Sequence, residues 1–511
     1  MAYLLANLVW KALSLFYGLS AFAVTVVLLI LDGSVFRTRS QKFDKQLATD
    51  RDLLWNLHST RHGHHRFYEL KNGSKLHYIE RGLPKNATAD DSSPQNLVIF
   101  LHGFPDSWAL WKDYLDFPKQ APRAWLIALD LPGHGGSDGL HNYGVNEVME
   151  TISEFILAMR TQYLDGIEAA QRRVFIVSHD WGAVIALRLA SEAPQLADRF
   201  IVCNAVLSEL LESNVIGRFL TAKKMLETCI HRLRSVCSIR EADNESRFII
   251  GALSETFKIV VLPVYKQILL WHYVFIFQLP WPLPSIYGSL GNYWFLRKAH
   301  SHSTFSSECP PPKLHENPFL FASSLGPSTP ECRTQNSDGE SYGASVLARA
   351  KRADGGFFEK IRIYREGLLG GDWEMSIHIK GALSTLEDPT SSTSSSHRRN
   401  WSSRFGWGIV LKNGARGYLK APTTVVWGQK DVALDERICL AGMGHFMSVE
   451  GSQILVLAQA GHWVVSEKDG GRVVRECLLW ALEEQDSQVL KDRIASLKSG
   501  DLIEHKMVVE K

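Results

Sequence analysis

The sequence predicts an α/β protein: a doubly wound, mostly parallel sheet with an inserted helical cap, preceded by a helix of membrane length. Three observations lead there. Short continuous apolar runs at Leu97 to Leu101, Trp125 to Leu129, Val174 to Val177, Phe200 to Cys203, Thr423 to Trp427 and Ile454 to Leu457 suit strands buried on both faces. The segments between the early runs have helical apolar spacing, and strands alternating with helices build a parallel sheet. Between Cys203 and Thr423 no strand signal occurs, so a long helical insertion interrupts the alternation.

Composition narrows the function classes. With 511 residues, 45% hydrophobic and 22% charged, the chain has apolar content for one large domain plus an elaboration. A formal net charge of +2 without a basic run argues against nucleic acid as a partner. Cys203, Cys229, Cys237, Cys309, Cys332, Cys439 and Cys477 are odd in number and contain no C-x-x-C pair. They suit reduced thiols better than a disulfide framework or a zinc site.

Taken in order, the chain opens with an anchor over residues 1–45. Ala12 to Leu31 carries no charge and as a helix would span the ~30 Å of a bilayer core. A cleaved signal peptide is the competing reading, disfavoured by the length of the run and by the lack of a small-x-small site before Arg37. Only Lys11 and the amino terminus precede the span, whereas Arg37, Arg39, Lys42 and Lys45 follow it. The positive-inside rule therefore predicts everything downstream in the cytosol, and the expected location is the endoplasmic reticulum or another internal membrane, crossed once.

Residues 50–205 are expected to form the first half of the core. It begins with a hairpin around Asn72-Gly73, since Phe67 to Arg81 alternates about that dipeptide. Residues 206–418 would form the cap, with two Ser- and Pro-rich insertions, about 301–343 and 384–404, expected to be unstructured. Residues 419–490 complete the core, and 491–511 form a tail.

The chemistry is expected at the ends of the strands. After Val177 the chain must turn sharply through Ser178-His-Asp-Trp-Gly182 into a packed helix, and such a turn needs small residues beside its tip. The tip is Asp180, exposed above the sheet at a helix N-terminus, where backbone N–H groups favour negative charge. An aspartate at a helix start is also an ordinary cap. Two further polar loops follow strands: Gly428-Gln-Lys-Asp431, with Asp435 as a second acid, and Ala460-Gly-His462-Trp463. A loop after Leu101 holds His102-Gly-Phe104-Pro105.

The S-H-D-W-G-A stretch resembles the nucleophile elbow of the α/β-hydrolase family, with aspartate in the usual place of serine, as in its epoxide hydrolase and haloalkane dehalogenase branches. The order Asp180, Asp431, His462 is similar to the family's order of nucleophile, acid and histidine. The loop Asp130-Leu-Pro-Gly-His-Gly-Gly-Ser137 is similar to a family turn that shapes the core. The resemblance implies an oxyanion hole made by the backbone N–H groups of Phe104 and Trp181, with His102, Pro105 and Trp463 around the substrate pocket. Tyr273, five residues before Gln278 of Phe-Gln-Leu-Pro, and Tyr364-Arg365 resemble the two tyrosine positions of the epoxide hydrolase cap.

These readings agree on a reaction. A carboxylate is ionised at neutral pH and attacks a saturated carbon without a base, which a serine hydroxyl cannot do. The expectation is a membrane-anchored epoxide hydrolase that acts on small apolar epoxides and water through an ester on Asp180, with no metal and no cofactor. A haloalkane dehalogenase and an inactive anchored scaffold are the alternatives, the first disfavoured by the tyrosine pair and the second by the intact trio. Departures from the family are Ser178 where glycine is commoner, and Asn204-Ala-Val-Leu207 where a Pro-His-Pro pattern is frequent.

The predicted topology has a direct check. Asn72, Asn86, Asn244 and Asn400 each begin an N-x-S/T acceptor. In a cytosolic orientation they remain bare, so glycosidase treatment of the full-length protein should leave its mass unchanged; a mass loss would reverse the orientation.

Overall fold

The structure, a computed structural model, describes residues 2–82, 95–116, 124–168, 171–234, 239–303, 317–386, 417–483, 487–497 and 503–507. Its centre is one nine-stranded sheet in the order β1-β2-β4-β3-β5-β6-β7-β8-β9. The strands are β1 (His64–Glu69), β2 (Lys75–Gly82), β3 (Gln95–Leu101), β4 (Ala124–Leu129), β5 (Arg172–His179), β6 (Arg199–Cys203), β7 (Thr423–Gly428), β8 (Gln453–Leu457) and β9 (Ile503–Met507). The β1–β2 hairpin is antiparallel with Glu69 opposite Lys75, and β2 runs antiparallel to β4. From β4 through β8 every pairing is parallel.

Continuous apolar strands are needed because both faces are covered. Val174 and Ile176 face one buried cluster, which includes Ile152 and Phe155 of helix Val145–Leu164 and much of helix Trp181–Glu192. Phe175 and Val177 face the other, formed with Val473, Cys477 and Trp480 of helix Lys468–Glu483. This is the α/β-hydrolase fold that the sequence predicts.

In chain order the helices used below are α1 (Ala2–Leu31), α2 (Gln41–Trp55), α3 (Lys112–Leu115), α4 (Val145–Leu164), α5 (Trp181–Glu192), α6 (Ser208–Arg234), α7 (Ile239–Thr256), α8 (Leu262–Leu270), α9 (His272–Phe277), α10 (Leu283–Ser303) and α11 (Pro318–Leu325). Helices α6 to α11 fall between β6 and β7, where the strand signal lapses. Helix α1 does not stand apart from them. Tyr17 packs edge-on against Phe275 with ring centroids 4.8 Å apart, and a Cβ on Gly18 would sit 2.6 Å from the Phe275 carbonyl oxygen, so the glycine lets two helices meet.

Three sequence expectations change. Within 301–343, expected to be unstructured, α10 continues to Ser303 and α11 begins at Pro318, while 304–316 lie outside the described residues. The Asn317 carboxamide accepts from the N–H groups of Phe319 and Leu320, a cap followed by proline at the first helical position. Helix α11 packs on α2, whose Trp55 indole donates to the Ala322 carbonyl at 2.8 Å. Ser- and Pro-rich composition hid that start signal.

Of the insertion 384–404, Ser384 to Leu386 end a helix that starts at Ile377; the rest lies outside the described residues, as do Asn86 and Asn400. Residues 491–511 are more than a tail, because Ile503–Met507 pairs antiparallel with β8. A five-residue strand with little alternation is found by the open edge of its neighbour rather than by its own pattern.

A tight crossing lies at Gly182, where a Cβ would strike the backbone carbonyls of Leu101 and His102. Gly182→Ala should therefore destabilise by about 1–3 kcal/mol in urea unfolding followed by tryptophan fluorescence. Gly217→Ala on α6, where no described residue lies within contact range, should be neutral or stabilise by up to ~1 kcal/mol.

Candidate active site

The elbow is tighter than the sequence suggests. Ser178 and His179 belong to β5 and Trp181 opens α5, so the whole turn is Asp180, with φ 49° and ψ −119°. A non-glycine residue there costs about 1–3 kcal/mol, which its surroundings must supply. The Asp180 N–H donates to the Cys203 carbonyl at 3.2 Å, and its own carbonyl accepts from Val184 at 2.9 Å. Gly103 leaves room for the carboxylate, which a Cβ at that position would overlap.

The side chain makes no cap bond to α5. One carboxylate oxygen instead accepts from the Phe104 N–H at 2.8 Å, and the other lies 3.6 Å from Nε2 of His462. Ordinary helix capping is thus not what holds Asp180.

His462 follows β8, and its Nδ1 is 2.8 Å from Asp431 Oδ2. Asp431 follows β7 and is fully buried; its Oδ1 accepts from the N–H groups of Ala433 at 2.7 Å and Leu434 at 2.9 Å. Its Oδ2 also accepts from the Asn204 side chain at 2.6 Å. Asn204, seen in the sequence only as a departure from a pattern, has φ 43° at the end of β6, and its carboxamide oxygen receives the Gly428 N–H at 3.1 Å. The β6 and β7 ends are thereby fixed around the acid. Asp435 is directed elsewhere, capping helix Glu436–Cys439 and pairing with Arg437 and Lys266.

Electrostatics follow from this packing. Burial by itself would lower the pKa of His462, but Asp431 and Asp180 overcome it and hold the imidazole well above its ordinary value. Burial would raise Asp180; the hydrogen bond and charge of His462, with the Phe104 N–H, outweigh it and keep the carboxyl below the usual range. Asp106, buried beside Trp463 whose indole donates to it at 2.9 Å, is pushed up to about 7 by burial, with the charge of Asp180 adding to the shift.

Above Asp180 stand two phenols. Tyr273 is on α9, and Tyr364 is on the short helix Arg362–Arg365; their ring centroids are 6.3 Å apart. The spacing seen in the sequence has a structural cause. The Gln278 carboxamide donates to the Tyr364 carbonyl at 2.7 Å, and Arg365 donates to the carbonyls of Phe277 and Leu279, so the two segments are locked face to face. Tyr364 also packs edge-on against the Trp181 indole at 4.7 Å. Burial raises the pKa of both phenols, and the negative charge of Asp180 adds to it, so both keep their protons.

A cavity of about 220 Å³ brings these groups together: Asp180, His462, Tyr273, Tyr364, Phe104, Pro105 and Trp463 all line it. His102 does not. Its ring is wholly buried beneath the loop, with Nε2 accepting from the Leu131 N–H at 3.0 Å and Nδ1 2.7 Å from the Gly103 carbonyl, so it shapes the loop and does not face a substrate. Trp181 lies beside the cavity as the first residue of α5, where a helix leaves its N–H without an internal acceptor. Tyr287 of α10, carrying no motif, was missed by the sequence; it lines the cavity with a buried hydroxyl that has no hydrogen-bond partner among the described residues.

Comparison with known proteins agrees with the fold. Residues 98–263 match the model of the alpha/beta hydrolase family. Epoxide hydrolase 2 of Caenorhabditis elegans is 29% identical over 183 residues, 35% of this chain and 44% of that protein. Mouse epoxide hydrolase 4 is 30% identical over 198 residues, 37% of this chain and 48% of that protein. The chain thus spans less than half the length of these curated relatives. Among solved structures, an epoxide hydrolase of Bacillus megaterium in complex with an inhibitor overlies 82% of this chain and 99% of its own at 16% identity, with a TM-score of 0.42. Over residues 98–263 the chain is thus similar to the α/β-hydrolase family, and the relatives it matches in part are named epoxide hydrolases.

Proposed function

We propose that this protein is an epoxide hydrolase in which Asp180 is the nucleophile. One observation carries the reading: the Asp180 carboxylate is ionised, turned away from its own helix, and faces His462 on one side and a cavity roofed by two protonated phenols on the other. An oxygen of Asp180 attacks an epoxide carbon, the carbon–oxygen bond of the ring breaks, and Tyr273 or Tyr364 gives its proton to the departing alkoxide.

The ester that forms removes the charge of Asp180, one of the two supports that hold a proton on His462. The imidazolium then restores the phenol and becomes neutral, still oriented by Asp431. In that form His462 takes a proton from water, which attacks the Asp180 carbonyl carbon. The Phe104 and Trp181 N–H groups face the developing oxyanion. On collapse the His462 imidazolium gives its proton to the departing alkoxide oxygen, releasing the diol with an oxygen from the enzyme, and the Asp180 carboxylic acid that remains then passes its proton to the neutral His462. The net reaction consumes one epoxide and one water and yields one diol.

The phenols favour this reading over a dehalogenase, because a halide leaves without needing a proton. The apolar lining, Phe104, Leu269, Leu270, Phe295 and Trp463 among it, favours an apolar substrate. An anchor at α1 with the catalytic part in the cytosol belongs to the same proposal.

The test is isotopic. With enzyme in excess in ¹⁸O-water, the diol of the first turnover should be unlabelled and the label should appear in the peptide holding Asp180. Labelled first-turnover diol would sink the assignment. His462→Gln should accumulate the alkylated protein, visible by intact mass, since attack needs the carboxylate and phenols while hydrolysis needs the base.

Tyr273→Phe should slow alkylation by ~10²-fold or more. Release of halide from chloroalkanes, with epoxides untouched, would instead favour the dehalogenase.

The pH dependence has a definite sign. A carboxyl held below the usual range stays ionised as pH falls, so single-turnover alkylation should remain flat down to about pH 5 and decline only under the ordinary carboxylate pKa of ~4. A decline centred near neutrality would contradict the ionised resting state of Asp180.

A further inference from the structure

Among the described residues two helical segments are long and apolar enough to cross a membrane: Lys11–Leu31, within α1, and Ser246–Leu270, in the middle of the cap. The second runs from α7 through a π-turn, Phe257–Val261, into α8. An apolar helix in a soluble protein is normally a core helix, yet little of this one is buried. A leader sequence passes the same test at the front of a chain, but this segment lies mid-chain. Ile250, Leu253, Phe257, Ile259 and Tyr265 are each at least half exposed, and the antiparallel α6 adds Phe219, Leu220, Leu226 and Leu233. So large a contiguous apolar surface marks contact with something other than water.

Three features identify a lipid bilayer as that partner. The surface continues into α1: the Tyr17 hydroxyl donates to the Ile268 carbonyl at 3.4 Å and its ring packs on Phe275, so a bilayer that holds α1 meets α8 as well. The charges on the segment after Arg247 are neutralised in pairs, Glu255 with Lys258 at 2.9 Å and Lys266 with Asp435 at 3.0 Å. The π-turn, which would leave a carbonyl short of its usual helical donor, has the Ile259 oxygen covered by the Arg218 guanidinium. Moreover Leu269 belongs both to this surface, at 46% exposed, and to the lining of the cavity, so the cavity reaches the apolar face.

We propose that the arm formed by α6, α7 and α8 is embedded in the same bilayer as α1, and that the site described above takes its substrate from the lipid phase. The second clause rests on the epoxide hydrolase reading; the first does not. The substrate class is then epoxides dissolved in the bilayer, with long apolar chains.

The closing experiment separates the two. Full-length protein with Cys237→Ser, Cys309→Ser and Leu253→Cys is labelled with the fluorophore NBD and reconstituted in phosphatidylcholine vesicles with or without nitroxide on the acyl chains. The arm in lipid predicts that nitroxide quenches at least half of the emission while aqueous iodide quenches little, and that a label at Glu168→Cys on the hydrolase core behaves oppositely. Emission at Leu253→Cys quenched by iodide and blind to nitroxide would place the arm in water and overturn the proposal. Blue-shifted emission blind to both quenchers would mean protein cover, as by a second copy, and would overturn it equally.

Turnover supplies the second arm. Phe257→Glu with Leu253→Glu should lower turnover of a vesicle-dissolved long-chain epoxide about tenfold and leave a short water-soluble epoxide unchanged. Equal loss on both, or no loss on either, refutes entry from lipid. A wild type that opens neither epoxide refutes the reaction while leaving the quenching result to stand or fall alone.

Discussion

The site depends on one steric constraint, the close passage of α5 over the loop after β3. Gly182 and Gly103 mark it: a Cβ on the first would strike backbone carbonyls, and a Cβ on the second would overlap the Asp180 carboxylate. Because the backbones touch, the turn between β5 and α5 contracts to a single residue in a strained conformation. That strain lifts the carboxylate clear of the helix it precedes. Its hydrogen bond then comes from Phe104 across the crossing, not from its own first turn.

Around that point the parallel sheet converts sequence distance into proximity. Asp180, Asn204, Asp431 and His462 sit at the carboxyl ends of β5, β6, β7 and β8, four adjacent strands. Asn204 bonds to Asp431 and to Gly428, and Asp431 in turn holds His462, so the histidine is oriented by a chain of buried contacts between strand ends. The cost of burying the Asp431 charge is met by four hydrogen-bond donors, counting the histidine. Low local polarity strengthens every one of these bonds.

The cap is built on a different principle. Its elements meet through aromatic edges around Phe277, which contacts Phe104, Tyr364, Phe357 and Phe295 at ring separations between 5.2 and 5.6 Å. Gln278 and Arg365 supply the direction that such packing lacks, by hydrogen bonds between α9 and the Tyr364 segment. Helix α1 leans on the other side of α9, so the apolar N-terminal helix packs against the roof of the cavity.

By itself the sequence determined the sheet, because strands covered on both faces must be continuously apolar, and each such run is a strand in the structure. It also determined Asp180, Asp431 and His462 as loop residues at strand ends, and the pairing of Tyr273 with Gln278, since these are local spacings. The tertiary structure alone decided what depends on contacts between distant segments. His102 lies beside Phe104 and Pro105 in sequence, yet it turns down to Leu131 while they face the cavity, because only packing fixes which way a loop side chain points. Asn204 carries no motif, and its partner Asp431 is 227 residues away. The helix at Pro318 was masked by composition, and β9 is made by the edge of β8. Likewise an apolar stretch such as Ser246–Leu270 reads alike as core or as surface, and its exposure is settled only when every other element has packed without covering it.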